Sequence, residues 1–190
     1  TTNVAGVKSD PPVIFYSTMR SILVNLDGDP VWSPIPQNDL KYAVNTNWDL
    51  FQHEPTKTYY LRSDRVWMKA TSLNGPWTAS GKLPASFSKL PADDNWKEVK
   101  SALSGAGSNA AIPRVFVSTV PAELIYVQGQ PIYTSVQGAS PLMWLQNTEA
   151  DVFRMGPNGP MYYLVAGRWF SAPGPTGPWT FATPTLPDAF

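Results

Sequence analysis

One phrase occurs twice in this chain of 190 residues. Tyr59-Tyr60-Leu61, Trp67, Ala70 and Gly75-Pro76-Trp77-Thr78 return as Tyr162-Tyr163-Leu164, Trp169, Ala172 and Gly177-Pro178-Trp179-Thr180. Upstream, Ser17-Thr18 returns as Ser118-Thr119, Gly28-Asp29-Pro30 as Gly129-Gln130-Pro131, and Asn45-Thr46 as Asn147-Thr148. Asp49 and Phe51 return as Asp151 and Phe153. The spacing drifts only from 101 (Ser17 to Ser118) to 103 (Tyr59 to Tyr162), so the copies differ by one-residue loop insertions. A duplicated unit constrains architecture more firmly than local propensity does, because one packing problem must be solved twice by nearly one sequence.

The copies span residues 12–87 and 113–190, after an N-terminal extension, 1–11, and around a linker, 88–112. Each copy closes alike, on Leu83-Pro84-Ala85-Ser86-Phe87 and Leu186-Pro187-Asp188-Ala189-Phe190. Within each copy the pattern is strand-like. Residues 13–18 and 114–119 open the units, followed by 21–26 and 122–127. Short strands follow through Val31-Trp32 or Ile132-Tyr133, and through 40–44 or 142–145. A hairpin then joins 59–62 to 66–70, and 161–165 to 169–172. Gly-Pro-Trp-Thr leads into a short closing strand. The 20 prolines suit turns and strand ends, and the 13% aromatic content suits strands. The linker carries the one helical pattern, 93–103, with Asp93 and Asp94 at its start and Trp96, Val99 and Leu103 on one side. The expected fold is all-β: two homologous small antiparallel β units, a tandem duplication with a pseudo-twofold, joined by a linker with one short helix.

Charge excludes several functions. Only 15% of residues are charged, the net charge is zero, and Lys and Arg are scattered singly. No basic stripe is present to neutralise phosphates, so nucleic acid is not an expected partner. No apolar run approaches the roughly 20 residues of a membrane span, so membrane insertion is not expected. Cysteine is absent, which removes disulfides, thiolate catalysis and cysteine zinc sites together. Thr1-Thr2-Asn3-Val4 does not read as a signal peptide. Low charge, many aromatics and no cysteine lean towards an extracellular or periplasmic protein.

Residues present in both copies read as structural. Aromatics found in one copy only are the ligand candidates, because packing does not demand them. Trp48 stands where the second copy has Ala150, Trp32 where it has Tyr133, and Tyr42 where it has Trp144. Trp67 and Trp169 share a strand face with Lys69 and Ser171, which makes them either lids of the core or exposed platforms. Exposed rings of this kind stack on sugars or fill protein interfaces. Asn45 and Asp49 are candidates for hydrogen bonds to a ligand. The same Asn-Thr-x-x-Asp phrase also shapes turns through local backbone bonds. A third reading sets Asp49 against Asp151 as a glycosidase pair, which needs carboxylates roughly 5–10 Å apart.

His53 is the sole histidine and is read as part of a solvated loop beside Glu54-Pro55. No Gly-x-Ser-x-Gly elbow, multi-histidine metal site, complete calcium loop or phosphate-cradling glycine loop occurs. No cofactor and no metal is expected.

The phrases Val115-Phe116-Val117-Ser118-Thr119-Val120-Pro121-Ala122-Glu123-Leu124-Ile125 and Tyr162-Tyr163-Leu164-Val165-Ala166-Gly167-Arg168-Trp169-Phe170 resemble bacterial exported β-repeat proteins. Those proteins carry YYL…GRWF…GPW repeats and are often labelled carbohydrate-binding-like. The resemblance covers both copies and implies β-repeat structure and export. The leading expectation is a non-enzymatic binding module that meets a glycan through Trp48, Trp32, Tyr133 and Trp144. The alternative is a structural or assembly protein of a cell-surface or envelope complex, with the aromatics as a protein interface and self-association as one form of it.

Overall fold

A computed structural model describes residues 10–108 and 110–190. The expected N-terminal extension lies outside the described residues up to position 9. The first copy forms β1 (Val13–Ser17), β2 (Ser21–Asn25), β3 (Trp32–Pro34), β4 (Leu40–Ala43), β5 (Asp49–His53), β6 (Thr58–Ser63), β7 (Val66–Ala70) and β8 (Thr78–Ala79). The second forms β9 (Arg114–Ser118), β10 (Ala122–Tyr126), β11 (Tyr133–Ser135), β12 (Leu142–Leu145), β13 (Asp151–Met155), β14 (Met161–Val165), β15 (Arg168–Ala172) and β16 (Thr180–Phe181). Between them lie 3-10 turns at Ala85–Lys89, Asp94–Trp96 and Leu103–Gly105, and the helix α1 (Lys97–Ser101). The protein is all-β with two similar units, as the repeat requires.

Strands β3 to β8 make one six-stranded antiparallel meander and β11 to β16 another. We call these the first and second sheets. Strands β5 and β13 are absent from the sequence reading, which took Asp49 and its surroundings as a turn. Leu50 and Phe51 alternate across β5, one to each face of the first sheet. His53 ends this strand and is buried, with Nδ1 2.7 Å from Thr56 Oγ1 and Nε2 3.5 Å from Asp39. That corrects its placement in a solvated loop.

The compact units do not follow the borders of the copies. One is Ile22–Pro121; the other joins the described residues through Ser21 to Ala122–Phe190. Strand β1 pairs in parallel with β10, Val13 with Ala122 through Ser17 with Tyr126. Strand β2 pairs with β9. Each copy therefore lends its opening strand to the unit of the other. Parallel strands need a long connection; residues 18–121 supply it between β1 and β10, while a short corner at 18–20 leads from β1 into β2. Ser21 Oγ donates to Ser17 Oγ and to the Met19 carbonyl, both at 2.7 Å, which fixes that corner.

The ladders also correct the alignment of the copies. Phe51 pairs with Tyr60, and Phe153 with Tyr162. Trp67 pairs with Arg62, and Trp169 with Leu164. Tyr60 therefore corresponds to Tyr162, Leu61 to Tyr163 and Arg62 to Leu164. The repeated letters Tyr-Tyr-Leu are one residue out of register with the repeated structure. In a strand such a slip exchanges the two faces, so Tyr163 matches core Leu61 rather than Tyr60.

Candidate functional site

The Asn-Thr phrase is a latch, built twice. Asn45 Oδ1 accepts from the Val31 N–H at 3.0 Å, and its Nδ2 donates to the carbonyls of Asp27 and Asp29 at 3.0 and 2.8 Å. Asn147 does the same to Ile132, Gln128 and Gln130. Thr46 Oγ1 donates to the Asn25 carbonyl, and Thr148 Oγ1 to that of Tyr126. Asn45 thus spends its amide on backbone groups that order the turn. A shallow groove of about 710 Å³ passes over this latch, lined by Leu26, Asp27, Val44, Asn45 and Thr119.

Trp48 and Trp32 are half-buried against the cluster of Val24, Leu26, Leu50, Leu61 and Met68. Trp32 also stacks on Tyr59, with centroids 5.6 Å apart and planes 22° apart. Tyr133 is half-buried on the matching cluster of Ile125, Val127, Leu145 and Val152, with the Arg154 guanidinium 5.7 Å from its ring centroid. Burial pushes the Tyr133 hydroxyl pKa up. Arg62 holds Asp49 Oδ2 through Nε at 2.9 Å and NH2 at 2.5 Å. Trp48 and Asp49 do meet, with Tyr42, Asn47, Asn95 and Trp96, around a cleft of about 320 Å³. The other sequence candidates do not join them there.

The opposite face of the first sheet carries Leu40, Tyr42, Phe51, Tyr60 and Trp67, gathered around Phe87. Phe87 meets Phe51, Tyr60 and Trp67 edge-on, at 5.1, 5.5 and 5.2 Å between centroids. Leu90, Trp96 and Val99 then close over this face and are buried with it. Trp96 meets Tyr42 edge-on at 4.9 Å and lies 5.8 Å from Phe51. Trp67 Nε1 donates to the Ala102 carbonyl at 2.9 Å, and Trp67 is 3% exposed. Trp67 is therefore a core residue and not a platform. Alternation alone could not show that residues 90–102 would cover its face. Residues 88–106 likewise serve as part of the Ile22–Pro121 unit and not as a free linker.

The second sheet repeats the arrangement as far as Phe190, and no segment corresponding to 88–106 is among the described residues. Phe190 takes the place of Phe87, at 5.7, 5.0 and 4.9 Å from Phe153, Tyr162 and Trp169. Phe153 and Trp169 lie 5.6 Å apart. Here Phe153, Trp169 and Phe190 are only half-buried, and Trp144, at the position of Tyr42, is 40% exposed. The sequence residues that this structure gathers on one aromatic face are thus Trp144 and Trp169, with half-buried Phe153 and Phe190 and buried Tyr162 added. Sequence reasoning set Phe153 and Tyr162 aside as shared packing residues, and Phe190 carried a signal only in the repeated closing phrase.

The second unit is also more polar behind its sheet. Glu123 stands where the first has Ile22, and Tyr163 where it has Leu61. Burial pushes both the Glu123 carboxyl and the Tyr163 hydroxyl pKa up, and Arg168 partly offsets the shift at Glu123. Among the described residues no three His, Asp or Glu side chains converge as metal ligands would, and no helix is long and apolar enough to cross a membrane. No family model, no curated protein and no solved structure matches this chain.

Proposed function

We propose that the protein is a non-enzymatic binding module whose second sheet holds a polypeptide segment, of a partner or of a longer form of this chain, on its aromatic face. One observation carries this reading. The same ring cluster occurs twice, and in the first sheet its natural occupant is a stretch of polypeptide. Rings this large that stay accessible beside a sealed counterpart form the kind of apolar patch that partners bury. The matching face of the first sheet is covered by polypeptide, residues 90–99, which supports polypeptide as the class of occupant.

Panning a displayed random-peptide library against the chain, with counter-selection on Trp144→Ala, tests the reading. Enrichment of peptides that bind the chain but not the variant supports it. No enrichment overturns it. A second reading, a glycan site, rests on the cleft that brings Trp48, Asp49 and Asn95 together. A soluble glycan that quenches tryptophan fluorescence in the chain and not in Trp48→Ala would establish that reading instead.

A further inference from the structure

Three hollows of the Ile22–Pro121 unit join into one groove. The cleft at Trp48 shares Val44, Thr46 and Asn47 with the groove over the latch. On its other side it shares Asp49 and Asn95 with a hollow of about 370 Å³ lined also by Asp94, Lys97 and Glu98. The depression thus runs from Asp27 to Glu98, with Trp48 in its middle part.

The chemistry along it suits a ligand rich in hydroxyls. Asn47 and Asn95 line the middle cleft, and neither side-chain amide has a partner among the described residues. An amide both donates and accepts, as a hydroxyl does. Arg62 holds Asp49 by Oδ2 alone, through Nε and NH2. The carboxylate is fixed, and among the described residues its Oδ1 has no hydrogen-bond partner. The Trp48 N–H donates to Thr46 Oγ1 at 3.4 Å, which ties the backbone under the ring to the latch. A half-buried ring among fixed polar groups matches a pyranose, whose C–H face packs on the indole while its rim hydroxyls bond the amides and the carboxylate. Polar side chains dominate the groove on either side of Trp48, which disfavours the apolar anchors of a peptide. Asp27, Asp49, Asp94 and Glu98 outnumber Lys97 and the neighbouring Arg62, so the groove repels a polyanion.

Packing does not require the ring. In the second copy Ala150 stands at the position of Trp48 and packs on the matching cluster, Glu149 replaces Asn47, and Leu164 replaces Arg62. The tryptophan occurs only where the groove passes.

Resting on the glycan reading of the Trp48 cleft, we infer that this groove takes an extended stretch of an uncharged polysaccharide, several sugar units long. One unit stacks on Trp48 and is held by Asn47, Asp49 and Asn95, and its neighbours lie along the groove to either side.

The probes are neutral trisaccharides and hexasaccharides of glucose, mannose, xylose and N-acetylglucosamine, with the hexamer of galacturonic acid as the charged comparison. Each is titrated into the intact chain by calorimetry. At least one neutral hexasaccharide should bind saturably, about tenfold or more tighter than its trisaccharide and than the acidic hexamer. Trp48→Ala introduces the second copy's own residue, so the fold should hold while binding weakens about tenfold or more. Asn95→Ala, at an exposed position, should weaken binding severalfold and keeps the test sound should Trp48→Ala disturb the fold. Trp144→Ala should leave binding unchanged.

A trisaccharide bound as tightly as its hexasaccharide, or tightest binding of the acidic hexamer, would overturn the inference. Where such binding is lost in Trp48→Ala, the glycan reading itself still stands. Binding of none of the probes, or binding indifferent to both Trp48→Ala and Asn95→Ala, would overturn the two together. Panned peptides that lose binding in Trp48→Ala would assign the groove to a protein and overturn the inference as well.

Discussion

Phe87 and Phe190 stand at the same point of the same ring cluster, yet Phe87 is 1% exposed and Phe190 is half-buried. The rings around them have the same identities: Phe51, Tyr60 and Trp67 in one sheet, Phe153, Tyr162 and Trp169 in the other. What differs is the segment from Leu90 to Ala102. A local sequence can therefore place rings on a face without deciding whether that face is core or surface. In the first sheet a stretch elsewhere in the chain decides it.

Paired substitutions sharpen that comparison. The largest effect is expected at Phe87. Phe87→Ala empties a sealed cavity and should cost about 3–5 kcal/mol in urea unfolding. Phe190→Ala, on the open face, should cost only about 1 kcal/mol. Equal costs would mean that the second face is sealed in solution.

The latches make the opposite demand. Asn45→Ala and Asn147→Ala each remove three side-chain bonds of matching geometry. Each should cost about 1–3 kcal/mol, and by the same amount within error. Unequal losses would break the equivalence of the copies at their best-matched point.

A smaller effect separates the units by pH. Burial raises the Glu123 carboxyl pKa, against the opposing pull of Arg168. The folded state then binds the proton more tightly than the unfolded one. Stability from this group is fullest below the unfolded pKa and falls as pH rises through the folded one. Glu123→Gln should flatten that slope and stabilise at neutral pH by on the order of a few tenths of a kcal/mol, the group being substantially solvent-screened. A steeper slope in the variant would contradict this.

The smallest effect is local. Hydrogen bonds from Lys41 and Lys57 pull the half-buried Glu54 carboxyl from 4.5 down to about 2. Its contribution is present above the unfolded pKa and is lost as pH falls through about 2. The second copy has Met143 in place of Lys41. Lys41→Met should therefore move the Glu54 midpoint upward in an NMR titration, and an unmoved midpoint would deny the contact.

The repeat itself, the all-β class, the hairpins and the helical turn near Trp96 were legible from residue spacing. Others were not, for physical reasons. The exchange of β1 and β9 between the units is invisible locally, because each strand fits either partner by composition, and the short 18–20 corner gains its meaning only in space. The register of Tyr59-Tyr60-Leu61 misled because identical letters outweighed the period of two. Strand β5 hid behind Asp49, a residue that also suits turns. Trp67 stayed open between core lid and exposed platform because Lys69 on the same strand face is polar, while the cover on its face comes from residues more than twenty positions away.

The account rests on one face being closed and its twin open within residues 10–190. Hydrogen exchange at the indole N–H groups of the monomeric chain, resolved by NMR, reports on both at once. The Trp67 indole, bonded to the Ala102 carbonyl, should exchange only through opening of its unit, while the Trp144 indole should exchange at close to the rate of a free indole. Comparable protection of Trp67 and Trp144 in the monomer would show that the second face is covered by the chain itself, and would contradict the account.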